Sequence, residues 1–235
     1  MSPAATVDSG AGTPDGSIML PLSVRIGVLP KAGNDNSEAT MLTFYHAPLS
    51  RSGRVHWLLR EIDVPFRMVR CDIPRRDGSG ARDPRNPHPD GKVPALDHDG
   101  ALVTESTAIL LYLTDLYPDR GLGISQNQAE RGAYLTWLFW YSGVVEPVYL
   151  AEVLGVADHP VAQASFRDRN AVAARLIAAL ERSDWLMGPR FTAADILLCS
   201  PYLYFPDAAP DHPAVTSWIE RCKARPAYRQ AQEND

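Results

Sequence analysis

The chain has 235 residues, 45% hydrophobic and 22% charged, with 23 basic against 28 acidic side chains for a net charge of −5, enough to bury a sizeable core in one or two domains. Only Lys31, Lys92 and Lys223 are lysine and no basic block gathers the arginines, which argues against nucleic acid as a partner. The longest apolar stretch near the N-terminus, residues 17–29, holds Pro21 and Arg25 and falls short of the roughly 20 apolar residues a bilayer demands, so no membrane association is expected. It has neither the basic lead-in nor the small-residue cleavage site of a signal peptide.

Residues 1–40 alternate Gly, Ser, Ala, Pro and Asp around that patch without a helical period, and read as an extension, either disordered or a docking arm. Met41 opens the first clean strand and can itself serve as an initiator. Leu42 and Phe44 alternate with Thr43 and Tyr45 at strand period, and Ala47-Pro48 breaks the strand. Val55, Leu58, Leu59 and Ile62 then recur at i, i+3, i+4 and i+7, one apolar helix face. Asp63-Val64-Pro65 ends that helix, and residues 66–70 supply a second strand, completing a β-α-β unit.

Residues 71–91 are dense in Pro, Gly, Arg and Asp and read as a surface loop. Strands over 93–98 and 101–104 flank Asp99-Gly100, a dipeptide that favours the tight turn of a hairpin. Residues 105–117 place Ile109, Tyr112, Leu113 and Leu116 on one helix face, and Pro118 stops the helix. This order is thioredoxin-like. The expected organisation is an α/β domain at 41–118, a linker at 119–125 and an all-helical domain at 126–235. Within the latter, helices are expected near 126–143, 147–156, 161–182, 193–205 and 212–223, broken at Gly143, Glu146-Pro147, His159-Pro160, Gly188-Pro189, Pro206 and Pro226.

Cys71, Cys199 and Cys222 are odd in number and lack C-x-x-C spacing, which argues against a disulfide scaffold or a metal site and fits a reducing, cytoplasmic compartment. Each reads as a small buried hydrophobe. The segment from Tyr45 to Arg54 sets hydroxyls where the first strand meets the first helix. A helix N-terminus carries unpaired N–H groups and about half a unit of positive charge, so it suits an anion such as a thiolate. The same residues serve equally as a simple helix cap by Ser50 or Ser52.

Three motifs then stand in order: Asn86-Pro87-His88-Pro89-Asp90-Gly91-Lys92-Val93-Pro94-Ala95-Leu96, then Glu105-Ser106-Thr107-Ala108-Ile109, then Phe191-Thr192-Ala193-Ala194-Asp195-Ile196. Together they resemble the glutathione transferase pattern over about residues 41–228. The resemblance implies a cytosolic, serine-class, bacterial-type enzyme with glutathione as co-substrate and no metal. It implies a homodimer that conjugates a hydrophobic electrophile in detoxification. Alternatives on the same site are an isomerase, dehalogenase or peroxidase, or a non-catalytic scaffold.

By that resemblance Ser50 holds the glutathione thiolate, with Tyr45 and Ser52 as alternatives. Pro94 is expected as a cis proline that turns the Val93 backbone toward the cysteinyl part of the ligand, and Glu105 and Ser106 face its γ-glutamyl end. Lys92 and His88 are candidates for the glycyl carboxylate, Lys92 equally a solvated charge. Trp137, Trp140, Tyr141 and Tyr149 are expected to wall the electrophile pocket or else to pack as core, and Thr192 and Asp195 to form a capping box. The loop Asn86–Pro94 is two residues longer than the usual form, and residues 75–85 lack the apolar face of the family's second helix.

Overall fold

The computed structural model describes residues 41–233, so the extension assigned to 1–40 lies outside the described residues. Strand β1 (Leu42–His46) leads into helix α1 (Gly53–Ile62) and strand β2 (Phe66–Arg70); β3 (Ala95–His98), β4 (Ala101–Thr104) and helix α2 (Ser106–Leu116) follow. The sheet order is β2-β1-β3-β4, with β1 parallel to β2 and antiparallel to β3, the mixed arrangement of a thioredoxin-like domain. Val55, Leu58, Leu59 and Ile62 are fully buried, as their spacing demands. The Asp99-Gly100 turn has φ of 52° and 86°, the double left-handed geometry that a two-residue hairpin of this twist needs.

No helix intervenes between β2 and β3. The polar loop there is held by its own side chains: Asp83 accepts from the Asp72 and Arg85 backbone N–H groups and from the Arg85 guanidinium, which holds its carboxyl far below the usual range. A loop of this composition is expected to lie wholly on the surface, yet Asp83, Asn86 and His88 are buried because each is satisfied within the loop.

The helical half comprises α3 (Arg131–Trp140), α4 (Glu146–Val153), α5 (Pro160–Ser165), α6 (Arg169–Leu180), α7 (Ala193–Tyr204), α8 (Pro213–Ala224) and α9 (Pro226–Glu233). Three sequence expectations are corrected here. The breaks expected at Gly143 and Glu146-Pro147 are absent: a π-helical turn over Tyr141–Val145 carries α3 into α4. The Glu146 N–H already bonds to Tyr141 O, five residues back, so the ladder has widened before Pro147 withholds its donor. Conversely, the single helix expected over 161–182 is two, because Asp168 leaves helical conformation and its carboxylate caps α6 through the Ala171 N–H at 2.7 Å. Pro226 begins α9 where it was expected only to end a helix, since a proline fits the first helical turn.

The halves share one core, with α1 packed against α2, α7 and α9. The Glu61 carboxylate, 8% exposed, is gripped by the Arg225 fork at 2.6 and 2.8 Å and by Trp57 Nε1 at 2.9 Å, while the guanidinium lies 3.6 Å from the Phe191 ring centroid. Replacing Arg225 with Ala strands a carboxylate with little access to water. Discounted for the partial exposure of the arginine, the expected cost is about 2–3 kcal/mol, read as a melting temperature several degrees lower.

Candidate active site

Register brings three segments to one end of the sheet. Tyr45 pairs with Ala95 and Ala95 with Thr104, so the end of β1, the start of β3 and the end of β4 converge. From that end emerge the β1–α1 loop with Ser50, the dipeptide Val93-Pro94, and Glu105-Ser106 at the N-terminus of α2. The Val93–Pro94 bond is cis.

Among the described residues four non-glycine residues adopt positive φ. Asp63 caps α1 and Asp99 makes the hairpin, ordinary uses of that conformation. The other two, Leu49 at 52° and Glu105 at 69°, stand beside Ser50 and Ser106 at this end of the sheet. Strained non-glycine backbone gathers at functional sites, and neither residue has a turn or C-cap that accounts for it.

Ser52 occupies the N-cap position of α1, but its hydroxyl makes no bond to the helix. It turns back instead, 2.8 Å from His46 Nδ1, and accepts from the Ala47 N–H at 3.1 Å. Ser50 Oγ lies 2.7 Å from Ser52 Oγ and 2.7 Å from Ala47 O, and accepts from the Ser52 N–H at 3.2 Å. The simple-cap reading therefore does not describe Ser52, whereas Ser50 does accept the N–H two residues on, as a cap would, beside its contacts to Ser52 Oγ and Ala47 O. Ser52 is fully buried, and Ser50 is half-buried. Tyr45 is carried to the opposite face of the sheet from His46 by the alternation of the strand, and the structure does not bring it to the serines.

Around this centre lie residues that sequence reasoning missed. Arg54 is 6% exposed with its guanidinium 4.7 Å from the Tyr141 ring centroid, Arg51 pairs with Glu146, and Arg75 donates to Pro48 O at 2.9 Å. A methyl group at Gly53 would collide with the Tyr204 hydroxyl, so α7 also reaches the start of α1. His46 carried a signal: after Leu42 and Phe44 it is a polar residue at an inward-facing strand position.

The remaining candidates divide. Glu105 is exposed, Ser106 and Val93 are half-buried, Pro94 is buried, and Lys92 extends to solvent while its carbonyl accepts from Asn86 Nδ2 at 2.8 Å. His88 is 5% exposed and its Nδ1 accepts the Asp90 N–H at 3.1 Å, which makes it a brace of its own loop. The expectation that Trp137 and Trp140 wall a pocket gives way to the core alternative: both are buried, their rings meet edge to face at 5.3 Å, and Arg175 covers both. Tyr141, itself buried, packs against Arg54 at the start of α1, and Tyr149 bonds to the Tyr202 hydroxyl at 3.0 Å. Thr192 and Asp195 form the expected capping box. Among the described residues no His, Cys, Asp or Glu side chains group as a metal would require, and no helix is long and apolar enough to cross a membrane.

The fold, a thioredoxin-like sheet with an appended helical domain, also recurs in known proteins. The model of the glutathione S-transferase N-terminal domain matches residues 44–121, and that of the C-terminal domain matches residues 137–226. The disulfide-bond oxidoreductase YfcG of Escherichia coli (strain K12) is 32% identical over 213 residues, covering 81% of this chain and 94% of the relative. A glutathione S-transferase structure from Actinobacillus pleuropneumoniae aligns with TM-score 0.70 at 25% identity, over 83% of this chain and 92% of that one. The theta class glutathione S-transferase of Xanthomonas axonopodis pv. citri, solved with glutathione bound, aligns with TM-score 0.62 at 28% identity, over 81% and 96%. The chain belongs to the glutathione S-transferase family.

Proposed function

We propose that the protein is a glutathione transferase that stabilises the thiolate of bound glutathione for attack on an electrophile. The observation that carries this reading is the convergence, by strand register, of the Ser50 hydroxyl, the Val93 backbone and the N-terminus of α2 at one end of the sheet. In the reading, Val93 pairs with the cysteinyl part of the tripeptide as a strand edge would. The free N–H groups of α2, with the Ser106 hydroxyl, take the γ-glutamyl carboxylate, and Glu105 meets the amine. The sulfur then lies at the start of α1, where Ser50 donates a hydrogen bond to it. Ser50 is a stabiliser of charge and does not itself attack. Tyr149, half-buried, is the aromatic left to face the electrophile, since Tyr141 is buried as fully as the two tryptophans. A cytoplasmic homodimer active in detoxification completes the reading.

A second reading draws on the name of the YfcG relative. All three cysteines of this chain are buried, so none offers an accessible thiol for a mixed disulfide. Disulfide reduction here would use two glutathione molecules: one thiolate attacks the disulfide and expels a thiolate, and a second releases the other half, leaving oxidised glutathione.

Calorimetric titration with glutathione, followed by product analysis with an aryl halide and with a small disulfide, separates the readings. Binding with thioether formation is the expected result. Oxidised glutathione as the main product would favour the second reading, and an absence of binding would remove both.

A further inference from the structure

The two serine hydroxyls and the His46 ring form a chain whose direction decides whether Ser50 has a proton to give. Ser50 Oγ and Ser52 Oγ are 2.7 Å apart, a separation at which two oxygens must have a proton between them. Either Ser50 donates to Ser52, and its proton is spent inside the protein, or Ser52 donates to Ser50, and the Ser50 proton is free.

His46 chooses between these. Its Nδ1 is 2.8 Å from Ser52 Oγ. When the ring proton is on Nε2, Nδ1 is an acceptor and draws the Ser52 proton, so Ser50 must supply the proton between the serines. When the ring proton is on Nδ1, Ser52 accepts from His46 and from the Ala47 N–H and passes its own proton to Ser50. Ser50 then rests its proton on Ala47 O at 2.7 Å, the shorter of the two carbonyl contacts the serines make, since Ser52 Oγ lies 3.1 Å from the same oxygen. From there a rotation about the Ser50 side chain delivers the proton to a bound sulfur. Only this second arrangement places a proton in both 2.7 Å contacts of Ser50 Oγ, from Ser52 in one and to Ala47 O in the other, with the Ser50 oxygen accepting from the Ser52 O–H and N–H together.

We propose that His46 is a positioning residue: its Nδ1–H, acting through Ser52, aims the Ser50 hydroxyl at the glutathione sulfur. The assignment rests on the glutathione reading above. It explains why a polar ring occupies a fully buried strand position between Phe44 and His56, and why the hydroxyl at the N-cap of α1 turns away from its helix.

The test is the ionisation of the bound glutathione thiol, followed by thiolate absorbance across pH, in the wild type and in Ser50→Ala, Ser52→Ala, His46→Phe and His46→Asn. Phenylalanine keeps a ring in the site without a nitrogen, and asparagine restores an N–H near the place of Nδ1. Ser50→Ala is expected to raise the thiol pKa by about 1–2 units, and Ser52→Ala and His46→Phe by about 1 unit, from the loss of one hydrogen bond to a charged group or of its alignment. His46→Asn is expected to recover most of that shift. A wild-type value in Ser52→Ala or His46→Phe, with Ser50→Ala still raised, would overturn the relay and leave the glutathione reading standing. Failure of His46→Asn to improve on His46→Phe would overturn it as well. A wild-type value in Ser50→Ala would take Ser50 away from the sulfur and overturn the relay too, whereas a wild-type complex whose thiol ionises at the free value would remove the glutathione reading itself. Should the His46 variants not fold, Ser52→Ala and nitrogen NMR of the His46 ring in the glutathione complex decide: an Nδ1 without a proton would contradict the proposal.

Discussion

Replacing Asp195 with Ala is expected to cost about 3 kcal/mol and to lower the melting temperature by roughly 6–12 °C. The carboxylate is completely buried at the start of α7, where it joins three parts of the helical domain. Oδ1 accepts from the Leu186 N–H at 2.9 Å and from Trp218 Nε1 at 3.0 Å; Oδ2 accepts from the Thr192 N–H at 2.9 Å and from its hydroxyl at 3.3 Å. Alanine leaves those donors unpaired in the core, and thermal melts followed by circular dichroism measure the loss. Asparagine keeps the oxygen that serves Leu186 and Trp218 and opposes only the Thr192 N–H, so Asp195→Asn is expected to cost about 1 kcal/mol.

The same group gives a pH dependence of definite sign. Burial pushes the Asp195 carboxyl up to about 6, against the pull of its four donated hydrogen bonds. The unfolded value is about 3.9, so between the two values the folded state holds the proton more tightly. Its contribution to stability is therefore fully present below about pH 4 and is lost as pH rises through about 6, by up to about 3 kcal/mol. Denaturant unfolding across this interval is expected to show a slope in the wild type that is flatter in Asp195→Asn.

The second large effect concerns chemistry. Under the proposed function, Ser50→Ala is expected to reduce kcat/KM for conjugation about 3- to 25-fold at pH 7, the range given by a thiol pKa raised by about 1–2 units. A thiol with pKa ~8.5 is about 3% ionised there, and lowering it by ~2 units makes about three-quarters of it thiolate. Near pH 9 glutathione ionises largely unaided, and the difference between variant and wild type is expected to shrink to less than about twofold. A structural defect would lower the rate at both pH values, so the convergence of the two profiles reports the role of the hydroxyl.

Where local chemistry alone dictates structure, the sequence was readable. The apolar spacing from Val55 to Ile62, the Asp99-Gly100 turn and the pairing of Thr192 with Asp195 each follow from a rule that acts within a few residues. The misread stretches depend on competition between neighbours. Pro147 signals a break, but the widened ladder begun at Tyr141 absorbs it. Asp168 resembles any other acidic residue of a charged helix until its carboxylate is seen to cap α6. In the candidate site, Ser50 and Glu105 could be picked out by position, whereas the turning of Ser52 toward His46 and the seat of Arg54 against Tyr141 are tertiary facts with no local signature. The aromatic residues mislead for a related reason. Density of tryptophan marks burial, and whether a ring faces ligand or core depends on what covers it, here Arg175.

The central claim is that this site holds glutathione as a thiolate. Titration of the wild-type complex by thiolate absorbance tests it most directly: the thiol of bound glutathione is expected to ionise about 2 units below that of free glutathione. A bound thiol that ionises at the free value would contradict the account.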